Sequence, residues 1–173
     1  EKRFAKDKKF WDDQLDARGE PLYSDIQGPS VLEEARKRHG NPKLRSSDIE
    51  MKDLFVAVKD YYLEPGPTKN LIDFCMNHQL SMTNLLLLGI RTYLSKVNNG
   101  QEDITIQNFI SRRSTHDEWT SGGSRTIMFP CRTVIAPETD FLSAAYEIQN
   151  MQNRIYMHSN YDPAFIMDEI LEL

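Results

Sequence analysis

Phe4, Trp11 and Leu15 stand seven and four residues apart with lysines and aspartates between them, a spacing that predicts an amphipathic helix over Lys2 to Ala17. Gly19 and Pro21 stop it. From Leu22 to Asp48 the pattern is polar and irregular, punctuated by Gly28-Pro29 and Gly40-Asn41-Pro42, with a short helix expected from Pro29 to His39. Alternation returns between Asp53 and Leu63, where Phe55, Val56, Val58, Tyr61 and Tyr62 predict a strand ending at the breaker Glu64-Pro65-Gly66-Pro67. Helical spacing resumes over Thr68 to Gln79 through Leu71, Ile72, Cys75 and Met76. Ser81 is placed to cap the strongest helix, which runs from Leu85 through Ile90 and Leu94 to Val97 and ends at Asn98-Asn99-Gly100. Apolar groups lie nearly all the way round it, so burial on more than one side is expected.

The second half reads as two strands and two helices. Asp103 to Ser111 alternates Ile104, Ile106 and Asn108 against Thr105, Gln107 and Phe109, and Arg112-Arg113 follow it. A polar loop from Ser114 to Gly123 leads into a strand over Arg125 to Ile135, where Pro130 argues for an edge position or a bulge. Thr139 or Asp140 then caps a helix with Phe141, Ala145, Ile148, Met151 and Ile155 on one stripe. His158-Ser159-Asn160-Tyr161-Asp162-Pro163 breaks it, and Ala164 to Leu173 forms a last short helix. With no internal repeat, this order predicts an α/β two-layer sandwich, helices packed on a mixed β-sheet.

Composition narrows the function classes. A chain of 173 residues buries roughly 70% of its unfolded surface on folding, so a core forms without disulfide or metal staples. With 39% hydrophobic and 27% charged residues, the composition is that of a folded globular chain, not a disordered one. The formal net charge of −5 lacks the basic field that nucleic acid or an anionic membrane surface attracts, so neither is an expected partner. Arg36, Lys37, Arg38, Lys43 and Arg45 make a local basic patch, read as a solvated face before a phosphate site. Glu1 to Lys9 is charged and holds no export signal, and the chain lacks an initiating Met, which reads as an excised piece with the cytoplasm as its expected setting.

Motif chemistry is sparse. Cys75 and Cys131 lack zinc-site spacing and read as reduced core thiols. His39, His78, His116 and His158 are scattered at no metal-ligand spacing. Gly122-Gly123 does not make a phosphate loop between strand and helix, and no serine sits in Gly-x-Ser-x-Gly. Taken residue by residue, the sequence yields a fold class and no reaction.

Five segments in order carry a resemblance. Phe10-Trp11-Asp12-Asp13-Gln14-Leu15 is similar to a Tyr-Trp-x-x-x-Leu helix, and Ser81 to Leu88 with Tyr93-Leu94 and Asn99-Gly100-Gln101-Glu102-Asp103 to a buried helix, a Gly-Gln-Asp-Asp turn and a strand. Arg112-Arg113 stands where a Gly-Arg pair is usual. Arg125 to Arg132, ending Phe129-Pro130-Cys131-Arg132, is similar to Phe-Val-Asn-Thr-Leu-Pro-Leu-Arg, and His158 to Tyr161 to the start of His-Gln-Asp-Tyr-Pro-Phe. Together they resemble the C-terminal half, or C-lobe, of a nonribosomal peptide synthetase condensation domain, across nearly the whole chain. The departures are Arg112 for glycine and Ile127-Met128 for Asn-Thr, which removes a polar pair from the strand.

That resemblance implies one lobe of the CoA-dependent acyltransferase, chloramphenicol-acetyltransferase-like fold over residues 1–173. It implies amide-bond formation between thioesters and an amine held on peptidyl or acyl carrier proteins. No cofactor would be bound directly; the 4'-phosphopantetheine arms belong to the carriers. The N-terminal lobe and, in the parent, adenylation domains are the other implied partners. The family's His-His-x-x-x-Asp-Gly motif is absent from these residues, so no catalytic residue is assigned and this chain alone is expected to be inactive. Arg113 is expected to support the active site by pairing with that motif's aspartate. Met128, Arg132 and His158 are the substrate-channel candidates: alternation puts Met128 and Arg132 on one face, with Arg132 either paired to a carboxylate or exposed. His158 also reads as a helix C-terminal cap, and the loop holding Trp119 as a cover for the channel mouth or a plain surface loop. Epimerisation, cyclisation and carrier-independent acyltransferase members, and a non-catalytic carrier-docking module, stay open as alternatives.

Overall fold

The computed structural model describes residues 2–15, 19, 21–44, 56–113 and 115–166. Its elements run α1 (Lys2–Leu15), α2 (Ser30–His39), α3 (Pro65–Asn77), α4 (Met82–Val97), β1 (Asp103–Ser111), α5 (His116–Thr120), β2 (Thr126–Val134) and α6 (Phe141–Met157). Among the described residues the sheet is two-stranded, β1 antiparallel to β2 from Asp103↔Val134 to Ser111↔Thr126. The α/β arrangement of helices on a sheet holds, with an antiparallel pair where a mixed sheet was expected.

α6 joins two cores. Its Met151 and Ile155 pack with Phe10, Trp11 and Leu15 of α1 and with Ile110, Phe129 and Cys131 of the sheet. One to two turns earlier, Ala144, Ala145 and Ile148 pack with Cys75 of α3 and Leu85, Leu87 and Leu88 of α4. Trp11 is fully buried, its ring stacked on Phe129 with centroids 5.1 Å apart. Burying an aromatic of this size contributes roughly 2–3 kcal/mol, and the ring contact adds about 0.5–1.5 kcal/mol.

The caps explain most boundaries. Ser81 Oγ accepts from Asn84 N–H, and Asp140 Oδ1 accepts from Leu142 and Ser143 N–H, so Asp140 is the cap of the two residues considered. A hydrogen bond from the Ser143 side chain, followed by these backbone bonds, lowers the Asp140 pKa. Loop 21–28 is stitched to the end of α4: Asn98 Nδ2 donates to Asp25 O at 2.8 Å, and Tyr93 OH donates to Ile26 O. Gly28 sits there at φ +92, where a Cβ would lie 3.0 Å from Val97 O, so the turn requires glycine. Pro130 stays in register opposite Gln107 with no bulge. In the basic patch, Arg36 Nε donates to Leu44 O while Lys37 and Arg38 are exposed; Arg45 lies outside the described residues.

Four expectations are corrected. Residues 56–64 form no strand; Val56, Val58, Tyr61 and Tyr62 are exposed, with no neighbouring strand among the described residues to hydrogen-bond them, and residues 53–55 lie outside the described residues. The Glu64-Pro65 breaker opens α3, because proline at the first helical position gives up only an N–H that has no partner there anyway. Thr115 and Glu118 form a capping box, so the loop before β2 holds the short helix α5. α4 is buried on one side only: Leu86, Ile90 and Tyr93 stay exposed, and a groove of about 870 Å³ runs along α3 and α4 past Leu71 and Phe74 to Phe141 of α6. Of the last predicted helix, 163–166 is helical and the remainder lies outside the described residues.

Cys75 and Cys131 are both buried free thiols. Burial pushes Cys131 from its ordinary value of 9.0 up to about 11, although Gln152 Nε2 donates to its sulfur. The folded chain therefore keeps this proton where the unfolded chain loses it. Its stabilising effect is complete below about pH 9 and is lost as pH rises toward 11. Urea unfolding of the wild type at about pH 8 and about pH 10.5 is expected to show a loss roughly 2 kcal/mol larger than the same comparison for Cys131→Ala. Equal losses would remove the thiol from the pH dependence.

Candidate functional site

Near one end of the ribbon, at the start of β1 and the end of β2, two buried arginines converge. Arg132 is 3% exposed on β2 and forks onto the Asp103 carboxylate, with Nε 2.9 Å from Oδ1. Its Nη1 donates to Gln14 O at 2.9 Å, to Leu15 O at 3.3 Å and to Gly19 O at 2.8 Å. A guanidinium thus satisfies carbonyls that the last turn of α1 leaves without helical partners, while its charge is met by Asp103. Arg91 of α4 donates to Glu102 O and to Ile135 O, bridging the residues that flank the two strands. Burial lowers the Arg91 pKa, against the raising influence of Glu147, Asp103 and Glu102.

His158 closes α6, its N–H donating to Arg154 O and Ile155 O, which agrees with its reading as a cap. Its ring stacks on Phe10 at 4.3 Å, its Nδ1 lies 2.8 Å from Asp7 Oδ1, and its carbonyl accepts from Trp11 Nε1. Arg132 and His158 are thereby both committed to holding α1. Met128, on the same side of the ribbon as Arg132, is 41% exposed and faces the exposed Phe109 across the strands. Of the three channel candidates, only Met128 presents its side chain to open space.

Arg113 follows β1 and organises the segment after it. Its Nη1 donates to the carbonyls of Glu118, Trp119 and Ser121, and its Nη2 to that of Gly123. Trp119 Nε1 returns a hydrogen bond to Arg113 O at 2.9 Å. One planar cation therefore gathers the backbone from residue 118 to residue 123 around itself. Among the described residues, Arg113 makes no carboxylate pair in these bonds.

Asp7 and Asp103, which receive His158 and Arg132, are not among the expected site residues, although Asp103 closes the segment similar to the Gly-Gln-Asp-Asp turn. A signal for Asp7 is nonetheless present: a carboxylate three residues after Phe4 and four before Trp11 lies on the apolar stripe of α1, where it needs a partner. That Asp103 pairs with Arg132 is legible once the strand register is known. Among the described residues there is no cluster of three or more His, Cys, Asp or Glu that could hold a metal, and no helix long and apolar enough to cross a membrane.

Arg132→Met is expected to cost about 3–5 kcal/mol in urea unfolding, because Asp103 loses its partner and three carbonyls at and beyond the end of α1 lose their donor. Lys69→Gln, which removes an exposed pair with Asp73, is expected to cost less than about 0.5 kcal/mol. Similar small effects from both would show that the Arg132 bonds do not hold α1.

Known proteins share this fold. A family model described as "Condensation domain" matches residues 1–170. A plipastatin synthase polypeptide of Bacillus subtilis (strain 168) is 22% identical over 169 residues, covering 97% of this chain and 6% of that protein. The first condensation domain of the calcium-dependent antibiotic synthetase, in complex with substrate analogue 2a, superposes with TM-score 0.72 at 15% identity, covering 97% of this chain and 34% of that one. Crystal structures of the first condensation domain of the CDA synthetase give the same TM-score and identity with 33% of that chain covered. This chain thus spans about a third of the length of those solved structures and a small part of the synthase. The superposition shows that the chain has that fold, and with the family match over residues 1–170 the chain belongs to the condensation domain family.

Proposed function

We propose that residues 1–173 form the C-terminal lobe of a nonribosomal peptide synthetase condensation domain, whose complete form makes an amide bond between two carrier-bound substrates. The family match over residues 1–170, in a chain that spans about a third of the related domains, is the observation that carries this reading. In the reaction, an amine on one phosphopantetheine arm attacks the thioester carbonyl on another. The C–N bond forms, the C–S bond breaks, the amine gives up a proton and the thiol leaves. The arms are substrates delivered by carrier proteins, and the parent's adenylation domains and a cytoplasmic setting belong to the same reading.

This chain's own groups hold and shape such a site. On the side of the ribbon that they share, Phe109 and Met128 leave two apolar side chains exposed opposite each other, a patch suited to part of one wall of a channel that excludes water from a thioester. Arg113 is a positioning residue: it fixes segment 118–123, and an aspartate on the opposite lobe's His-His-x-x-x-Asp-Gly motif is the anion it would meet across the interface. With no adjacent histidine pair in the sequence, the imidazole that handles the amine proton comes from that other lobe.

The test is amide formation between two loaded carrier proteins. The complete domain is expected to be active and this chain alone inactive; product from the chain alone, or none from the complete domain, would overturn the proposal. Arg113→Ala in the complete domain is expected to lower the rate roughly tenfold to a hundredfold. Arg113→Lys should restore little, since one ammonium cannot span four carbonyls. An unchanged rate in Arg113→Ala would remove that residue from the mechanism.

A further inference from the structure

β1 and β2 continue their pairing one step past their last strand residues. Ser111 faces Thr126, and the Arg112 N–H then donates to Arg125 O at 3.1 Å. Opposed residues of an antiparallel ribbon share a face with Cβ atoms about 4.5–5.5 Å apart, where like charges repel. Alternation puts Arg112 and Arg125 on the face of Ile110 and Ile127. Both line a cavity of about 370 Å³, together with Glu118, Ser124, Ile127 and Asn160.

Among the described residues, the groups that line this cavity answer half of the repulsion. Arg125 pairs with Glu118 Oε1, whose other oxygen, Oε2, accepts from Thr115 N–H at 3.1 Å in the capping box of α5. Arg112 Nη2 instead donates to Asn160 Oδ1 at 3.0 Å, a neutral acceptor. Among the described residues that line the cavity, two guanidiniums stand against one carboxylate, which leaves one formal positive charge in a concave site. A guanidinium carries five donors in a planar fork that matches a carboxylate. Arg112 also stands where the family pattern has glycine, so this charge is a feature of the present chain.

We infer that this cavity binds a carboxylate, a monoanion whose short alkyl tail lies along Ile127 and whose oxygens meet Arg112. The volume falls within the range of small-molecule sites, and a monoanion balances the residual charge. The inference rests on the geometry of the strand ends and does not depend on the proposed amide-forming reaction.

Calorimetric titration of the intact protein with pentanoate, pentanamide and inorganic phosphate tests it. Pentanoate is expected to bind saturably and at least about tenfold more tightly than pentanamide, the loss expected when a charge-assisted contact becomes a neutral one. Arg112→Gln, which can still donate to Asn160, is expected to weaken pentanoate by a similar factor with little change in melting temperature. Lys69→Gln should leave binding unchanged. Equal binding of pentanoate and pentanamide, tighter binding of phosphate than of pentanoate, or unaltered binding in Arg112→Gln would each overturn the site. Should Arg112→Gln fail to fold, the acid and amide comparison on the unaltered protein decides alone.

Discussion

The placement of α1 depends on a buried charge. A guanidinium sealed from water is costly unless every donor finds an acceptor and the charge finds a counterion, and Arg132 meets both demands with Asp103, Gln14, Leu15 and Gly19. Those acceptors come from a strand, a helix end and the loop beyond it, so the arginine is satisfied in one arrangement of all three. Hydrophobic burial of Trp11 supplies attraction without direction, and the guanidinium fork supplies the direction. A second fastening lies further up α1, where Asp7, Phe10 and Trp11 take hold of His158 at the end of α6. Eight residues, about 12 Å of helix, separate Asp7 from Leu15, so the helix is fixed against both sliding and rotation.

Periodicity makes most of the architecture legible, since α1, α2, α4, both strands and α6 all show in spacing and caps. Where it misleads, a partner is missing or a local rule outweighs the pattern. The apolar run at 56–63 has strand composition, yet composition cannot supply the hydrogen-bonding neighbour a strand needs. The Thr115-x-x-Glu118 signature of α5 is visible in the sequence, but the polar segment around it lacks the apolar spacing that marks the longer helices. The near-continuous apolar pattern of α4 suggests burial all round, but α6 and the sheet cover one side and leave Leu86, Ile90 and Tyr93 outside.

The site residues show the same limit more sharply. Met128 and Arg132 share a face by alternation, yet one is open and the other sealed, because α1 ends beside only one of them. Sequence reasoning assigns a face; tertiary packing decides what covers it. Arg113 is legible as important from its place after β1, whereas its bonds to four carbonyls of the following segment require coordinates. The pairing of Arg112 with Arg125 follows from extending the strand alternation by one residue, an extension the sequence permits and the register makes explicit.

Pro130 carries a consequence for how this ribbon meets other chains. The bond from Arg112 N–H to Arg125 O sets the alternation of hydrogen-bonded pairs, which makes Gln107↔Pro130 a pair that exchanges no ladder bonds. The imide nitrogen therefore points away from β1, toward the outer margin of β2. A foreign strand aligning there would find an acceptor with no matching donor at the middle of its run. Such a gap discourages edge-to-edge polymerisation while leaving the native ladder intact.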